Sequence, residues 1–302
     1  MEMSCRQSVS LIYPGLLLGL LLLLSVLPAA ADNKLLIKTI PARNAQEVSH
    51  DYFISLINLA LQKTAVDNQT TEIVYSKPYS QNGYLLELMR EGSHLDILWS
   101  GSSKSRESNL LTIKVPLVKG LLGYRMPIIR QQDQEKFASI QTLEQLKSLT
   151  ACQGKYWPDA DILEANGVPV NRLNNNEQMF SELKKGRCDY ISFAVFEGQA
   201  ELDARGEKYP GLVFYQDLII YYPYPMYFFV QRGKPELKSR VEQGLLKAVE
   251  DGSFDKIMRE HPSTRQIFPL QAWNKATTIK LSNVSLQLDA QTLPPDLWIL
   301  PQ

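Results

Sequence analysis

Between residues 35 and 100 the chain alternates short apolar runs with longer amphipathic ones, and from 149 to 194 it repeats that order. LLIKTI (35–40) reads as a buried strand. The stretch 46–63 places Val48, Tyr52, Leu56 and Leu59 on one face and reads as a helix. TEIVYS (71–76), a helix over 81–90 and LDILWS (95–100) complete a βαβαβ unit. The second copy is LTAC (149–152), a helix over 158–166, VPVNRL (168–173), a helix over 176–185 and DYISFA (189–194), with Asn166-Gly167 as a helix stop. Strands joined through helices run parallel, and a parallel sheet needs helices on its faces. The expected fold is therefore α/β, two-lobed, each lobe a mostly parallel sheet with covering helices. Two crossover strands, within 119–130 and 221–230, connect the lobes. The expected division is a leader over 1–31, lobe 1 (first part) over 32–124, lobe 2 over 125–224, and a return to lobe 1 with C-terminal helices and tail over 225–302. Ligands of open α/β sheets sit beyond the carboxyl ends of the strands. In two facing lobes those ends line a single cleft.

The N-terminus places a leucine-rich run at 16–24 before Ala29-Ala30-Ala31. An apolar core of about eleven residues is short for a bilayer span, and small residues after it suit signal-peptide cleavage, expected after Ala31. No cysteine stands at the cut, which argues against a lipid anchor, and Cys5 leaves with the leader. The expected destination is the periplasm. The full chain has 32 basic and 32 acidic side chains, and the leader removes only Glu2 and Arg6, so the balance stays neutral. A neutral chain disfavours nucleic acid or a charged membrane surface as partner. The remaining ~270 residues are enough for two lobes with separate cores. Cys152 and Cys188 remain. An oxidising compartment favours a bridge, but an offset of about five residues along parallel strands at ~3.3 Å each exceeds the ~7 Å reach of a disulfide, so two free thiols are expected.

The stretch 224–258 leads an aromatic strand through Gly-Lys-Pro into a helix with Leu237, Val241, Leu245 and Val249 on one stripe, then through Asp-Gly into a second helix. The wording GKPELKSRVEQGLLKAVEDGSFDKI resembles the closing segment of type II periplasmic solute-binding proteins of the amino-acid-binding kind (solute-binding family 3). The resemblance implies the type II periplasmic binding fold and capture of a small polar solute between the lobes.

It also implies positions for the site. SGSSKSRE after Trp99 matches the family loop whose arginine grips a ligand carboxylate, which places Arg106 in that role with Ser100 and Ser102 beside it. A guanidinium suits the task, since its planar fork donates two parallel hydrogen bonds to a carboxylate. Arg43, in the loop after the first strand, is an expected wall of the cleft. QGKYWP, before the helix at 158, stands where the family binds the acid end of its ligand, with Lys155 in place of a threonine and Tyr156 and Trp157 able to close over an apolar body or a cation. Each of these has a plainer alternative in loop packing or a surface salt bridge. The family aspartate that holds the ligand ammonium is expected five residues after Asp189, but Ala194 stands there. Glu197 is the candidate replacement.

His50, His94 and His261 lie far apart and no Cys-x-x-Cys occurs, so neither a metal site nor a cofactor is expected. No GxSxG, HExxH or phosphate-binding loop is present, and no catalytic residue is assigned. Asn68-Gln-Thr and Asn283-Val-Ser match glycosylation sequons at the frequency of chance. Three readings stand at this stage. The first is a monomeric, non-catalytic receptor serving an inner-membrane permease of an ABC importer. The second is a sensory module that signals through a separate membrane protein. The third is a cyclohexadienyl-dehydratase-like enzyme, which would need an acid/base pair such as Glu197 with Lys155. The tail over 266–302 is expected to wrap lobe 1.

Overall fold

The computed structural model describes residues 1–3, 34–42, 48–283, 286 and 294–300. The expected leader beyond residue 3, its expected cleavage point and Arg43 lie outside the described residues. The first repeat is β1 (Lys34–Thr39), α1 (Val48–Lys63), β2 (Thr70–Tyr75), α2 (Gln81–Met89) and β3 (Ile97–Gly101), followed by α3 (Lys104–Asn109) and β4 (Leu111–Ile113). The chain then crosses on β5 (Tyr124–Arg130) and passes two short helices, α4 (Gln134–Ala138) and α5 (Leu143–Leu146). The second repeat is β6 (Ala151–Gly154), α6 (Pro158–Ala165), β7 (Val170–Leu173), α7 (Asn176–Lys184) and β8 (Tyr190–Ala194). After α8 (Gly198–Asp203), β9 (Leu212–Phe214) and β10 (Leu218–Tyr221), the chain returns on β11 (Met226–Val230) to α9 (Pro235–Glu250) and α10 (Ser253–Glu260), and ends its regular structure with β12 (Thr277–Lys280).

The two halves share one topology. In the second, strands run in the order β7-β6-β8-β5, with β6 parallel to both β7 and β8 and the crossing strand β5 antiparallel to β8. In the first, β1 pairs parallel with β2, and β11 lies antiparallel between β3 and β4. Side-chain and main-chain bonds join β1 to β3, where the Lys38 N–H donates to Asp96 Oδ2 at 2.9 Å and Thr39 Oγ1 to the Ile97 carbonyl at 2.8 Å. Each half thus ends at a strand arriving from the other. α1 and α9 pack together through Leu56, Ala60, Val241 and Leu245, all fully buried, and the fourth-residue spacing of the apolar side chains creates that shared face. Pro235 and Pro158 each occupy the first helical turn, where a missing N–H costs nothing. Residues 34–302 form one compact body, and among the described residues no helix is long and apolar enough to cross a membrane.

Two expectations are corrected. Cys152 and Cys188 are bridged, with their Cα atoms 5.7 Å apart. The register sets Ile191 of β8 opposite Cys152, so Cys188 is offset by three residues and not five, and residues 187–189 bend rather than extend ahead of the strand. Both sulfurs lie in one buried cluster with Met179, Phe180 and Leu183. The tail does not wrap lobe 1 alone, because β12 adds in parallel to β10 at the edge of the second lobe's sheet. Beyond it Asn283 is buried and its amide donates to the Pro223 carbonyl at 2.9 Å, which removes that sequon from glycosylation.

Candidate functional site

The carboxyl ends of β1, β3, β6 and β8 converge on a cleft of about 230 Å³ between the two halves. From the first half come Trp99, Ser100 and Arg106, together with His50, Phe53 and Gln81. The second half supplies Trp157, Asp159 and Glu197. Among the described residues two hydrogen bonds cross the cleft from one half to the other. The Trp157 indole N–H donates to Gln81 Oε1 at 2.6 Å, and Arg106 Nη2 donates to the Tyr156 carbonyl at 3.3 Å. The lobes are closed on each other.

Arg106 is held by α3, whose first turn is capped by Ser103. It is 7% exposed, and its Nη1 donates to Ser100 Oγ at 3.0 Å and to the Gly101 carbonyl at 2.5 Å. Every one of these acceptors is neutral, and among the described residues no carboxylate lies within ion-pair distance of this guanidinium. Three hydrogen bonds use three of its five N–H groups, which leaves two for another acceptor. A buried cation without a counter-charge is costly. In a cleft it is the arrangement that an anionic group from outside would complete.

The second half contributes a buried charge group that the sequence reading missed. Arg125, on the crossing strand β5, pairs with Asp159 in the first turn of α6 at 3.0 Å, both nearly inaccessible. Tyr222 donates to the same Asp159 oxygen at 2.5 Å, and Arg125 also donates to the Ser192 carbonyl at 3.0 Å and the Leu122 carbonyl at 3.2 Å. Glu197 Oε2 stands 3.9 Å from Arg125 Nη1. Burial works against the charge on Arg125, but Asp159 first, then Tyr222 and Glu197, carry its pKa above the ordinary arginine value. Burial, reinforced by Asp159, likewise pushes the Tyr222 and Tyr224 hydroxyls far above the usual phenol range, so both remain protonated donors. An aromatic wall completes the cleft: Phe53 stacks on Trp99 at 4.9 Å between ring centroids, and His50 meets Trp99 edge-on at 5.3 Å.

Of the expected site residues, Trp99, Ser100, Arg106, Trp157 and Glu197 line the cleft. Three others do not. Ser102 is buried but turned to Glu107, with its N–H donating to the Pro225 carbonyl at 2.9 Å. Tyr156 is 57% exposed and offers only its carbonyl to Arg106. The Lys155 ammonium lies over the Tyr156 ring, 5.6 Å from its centre, on the outer surface. The acid/base pair of Glu197 with Lys155 is therefore not formed in the cleft. Among the described residues no group of His, Cys, Asp and Glu is arranged to hold a metal ion.

Solved structures with this architecture are two-lobed periplasmic binding proteins. A substrate-binding protein of an amino acid ABC transporter from Streptococcus pneumoniae, bound to L-arginine, matches 76% of this chain and 94% of its own, with a TM-score of 0.53 at 16% identity. A histidine kinase sensor domain with similarity to periplasmic binding proteins matches 76% and 96%, again with a TM-score of 0.53 and 16% identity. An ancestral amino-acid-binding protein, a precursor of cyclohexadienyl dehydratase, matches 76% and 95% at a TM-score of 0.52 and 17% identity. No protein-family model matches the sequence, and no curated protein is recognisably similar to it. The chain has the type II periplasmic binding fold.

Proposed function

We propose that this chain is an exported, non-catalytic receptor that closes its lobes over one small solute bearing a carboxylate, in the manner of the amino-acid-binding proteins it resembles in fold. The observation that carries this reading is Arg106: a guanidinium inside the cleft, met only by neutral oxygens, with two N–H groups to spare. A cleft of about 230 Å³ suits a solute of amino-acid size and excludes a long peptide. Arg125 and Asp159 offset each other in the cleft and Glu197 adds one acidic charge, so a zwitterion, its carboxylate at Arg106 and its ammonium facing the second lobe, fits better than a simple acid. Trp99, Phe53 and Trp157 would flank its side chain.

The leader directs the protein to the periplasm, where it works as a monomer and hands its solute, or its closed state, to an inner-membrane partner. An ABC permease is the leading partner. A thermal-shift screen of amino acids, amines, small peptides and carboxylates tests the reading. Stabilisation by a carboxylate-bearing solute, lost in Arg106→Ala, is the expected result. A hit without a carboxylate, or a hit converted to product by mass spectrometry, overturns it.

A further inference from the structure

A second cavity, about 450 Å³, lies behind the hinge and shares no lining residue with the cleft. Successive side chains of a strand point to opposite faces. At the crossing, Tyr124 turns into this cavity while Arg125 turns into the cleft, and Leu121 and Leu122 divide in the same way. The hinge is thus a wall common to both spaces, which an open groove adjoins through Val195, Trp273 and Ala276 on one side and Ser49, Glu197 and Glu201 on the other.

The far wall is built from the C-terminal segment, and it is firmly placed. The Ile299 N–H donates to the Lys119 carbonyl at 2.8 Å, and the Tyr124 hydroxyl donates to the Ile299 carbonyl at 3.2 Å. Trp298 is 6% exposed and covers Gly120, where any β-carbon would collide with the indole. Trp273, on a third side, is fixed by its own indole N–H, which donates to the Ile267 carbonyl at 2.7 Å. Side chains locked in this way cannot fold inward to close the space. The space is partly open to solvent at Leu300, and about 150 Å³ of apolar space is enough to take up benzene.

The lining is largely apolar, with Ile219, Leu270 and Ile299 among it, and Thr278 supplies a polar group. We propose that this cavity is a second ligand site, for a small, mostly apolar molecule of one or two rings that carries a hydrogen-bonding hydroxyl or carbonyl. This inference is independent of the nature of the solute in the cleft.

The test uses the full mature chain and 4-fluorophenol as probe, followed by its ¹⁹F signal. Saturable binding is expected, undiminished in Arg106→Ala. Two variants that fill the space, Ala276→Phe inside it and Leu300→Trp at its partly exposed end, are each checked for a native melting transition. Either one should weaken the probe by about tenfold or more, the loss expected for displacing one ring from an apolar pocket. Absence of saturable binding to the wild-type chain overturns the proposal. So does loss of binding in Arg106→Ala, which would put the probe in the cleft. Undiminished binding in folded forms of both filled variants has the same force.

Discussion

Replacing Arg106 by alanine separates a ligand contact from a structural one, because the two roles move different measurements. In the closed cleft two of the five N–H groups of Arg106 are unused. A carboxylate that engages both would form charge-assisted hydrogen bonds contributing about 1.5–3 kcal/mol each. Their loss should weaken binding by roughly 3–6 kcal/mol, a factor on the order of 10²–10⁴. The fold should hardly notice. Arg106→Ala gives up bonds to Ser100, Gly101 and Tyr156, and it also removes a buried cation that faces no carboxylate, so the net change in stability should stay within about 1 kcal/mol. Arg106→Lys keeps the charge without the fork and should fall between the two. Calorimetry with the strongest solute from the thermal-shift screen, beside melting curves of the unliganded variants, reads both quantities. Unchanged affinity would remove Arg106 from the site. A melting temperature lowered by many degrees in Arg106→Ala would show that its role is to hold the two halves together.

Asp159→Asn should do the reverse and destabilise the unliganded protein by up to roughly 3–5 kcal/mol, since it leaves buried Arg125 with only the more distant Glu197 as counter-charge; a melting temperature equal to wild type refutes the pairing. The Cys152–Cys188 bridge closes a loop with a sequence separation of 36 residues, so reduction should cost about 4 kcal/mol by the loop-entropy estimate. Urea unfolding with and without reductant measures it, and coincident curves would mean free thiols. Burial holds the His261 imidazole below its ordinary pKa of 6.5, against an opposing pull from Asp51. The unfolded chain therefore takes up the proton first, and stability should decline as pH falls through 6.5 and level off below the folded value; a His261→Gln variant whose stability keeps the same slope there would refute it. Trp298→Ala and Gly120→Ala disrupt the same contact, so their costs should be clearly non-additive in the double variant. Simple additivity would separate the tail from the hinge.

The alternation of strands and helices was legible because the two periodicities differ and because punctuation marked their limits. Pro158, Pro235 and Gly252 stand where helices begin or break. Register and partnership were not legible. Nothing local in TTIK says that β12 will pair with β10 rather than with a strand of the first lobe, and pairing of this kind is settled by burial of a face over a long span. The thiols were misjudged for a related reason: register sets Ile191 opposite Cys152, three residues from Cys188, and the chain at 187–189 bends ahead of the strand.

The cleft shows the same division between local and distant information. The family resemblance, laid over strands recognised from their pattern, placed Arg106, Trp157 and Glu197 in segments beyond the carboxyl ends of strands, and Trp99 stands within β3 near its end. Lys155 and Tyr156 were carried along by adjacency to Trp157, yet successive residues of a tight loop point different ways and only the last faces inward. Arg125 and Asp159 went unread because each had a sufficient local explanation, one as a stray cation in an apolar strand, the other as an acid in a first helical turn where the helix dipole favours it. Their significance exists only as a pair. The two arginines of the cleft then differ in kind. Arg125 is neutralised within the chain and sets the shape of the second lobe's wall, whereas Arg106 is solvated by neutral oxygens alone. This asymmetry, added to the resemblance of the SGSSKSRE loop, is what supports the proposed binding role of Arg106 and a supporting role for Arg125.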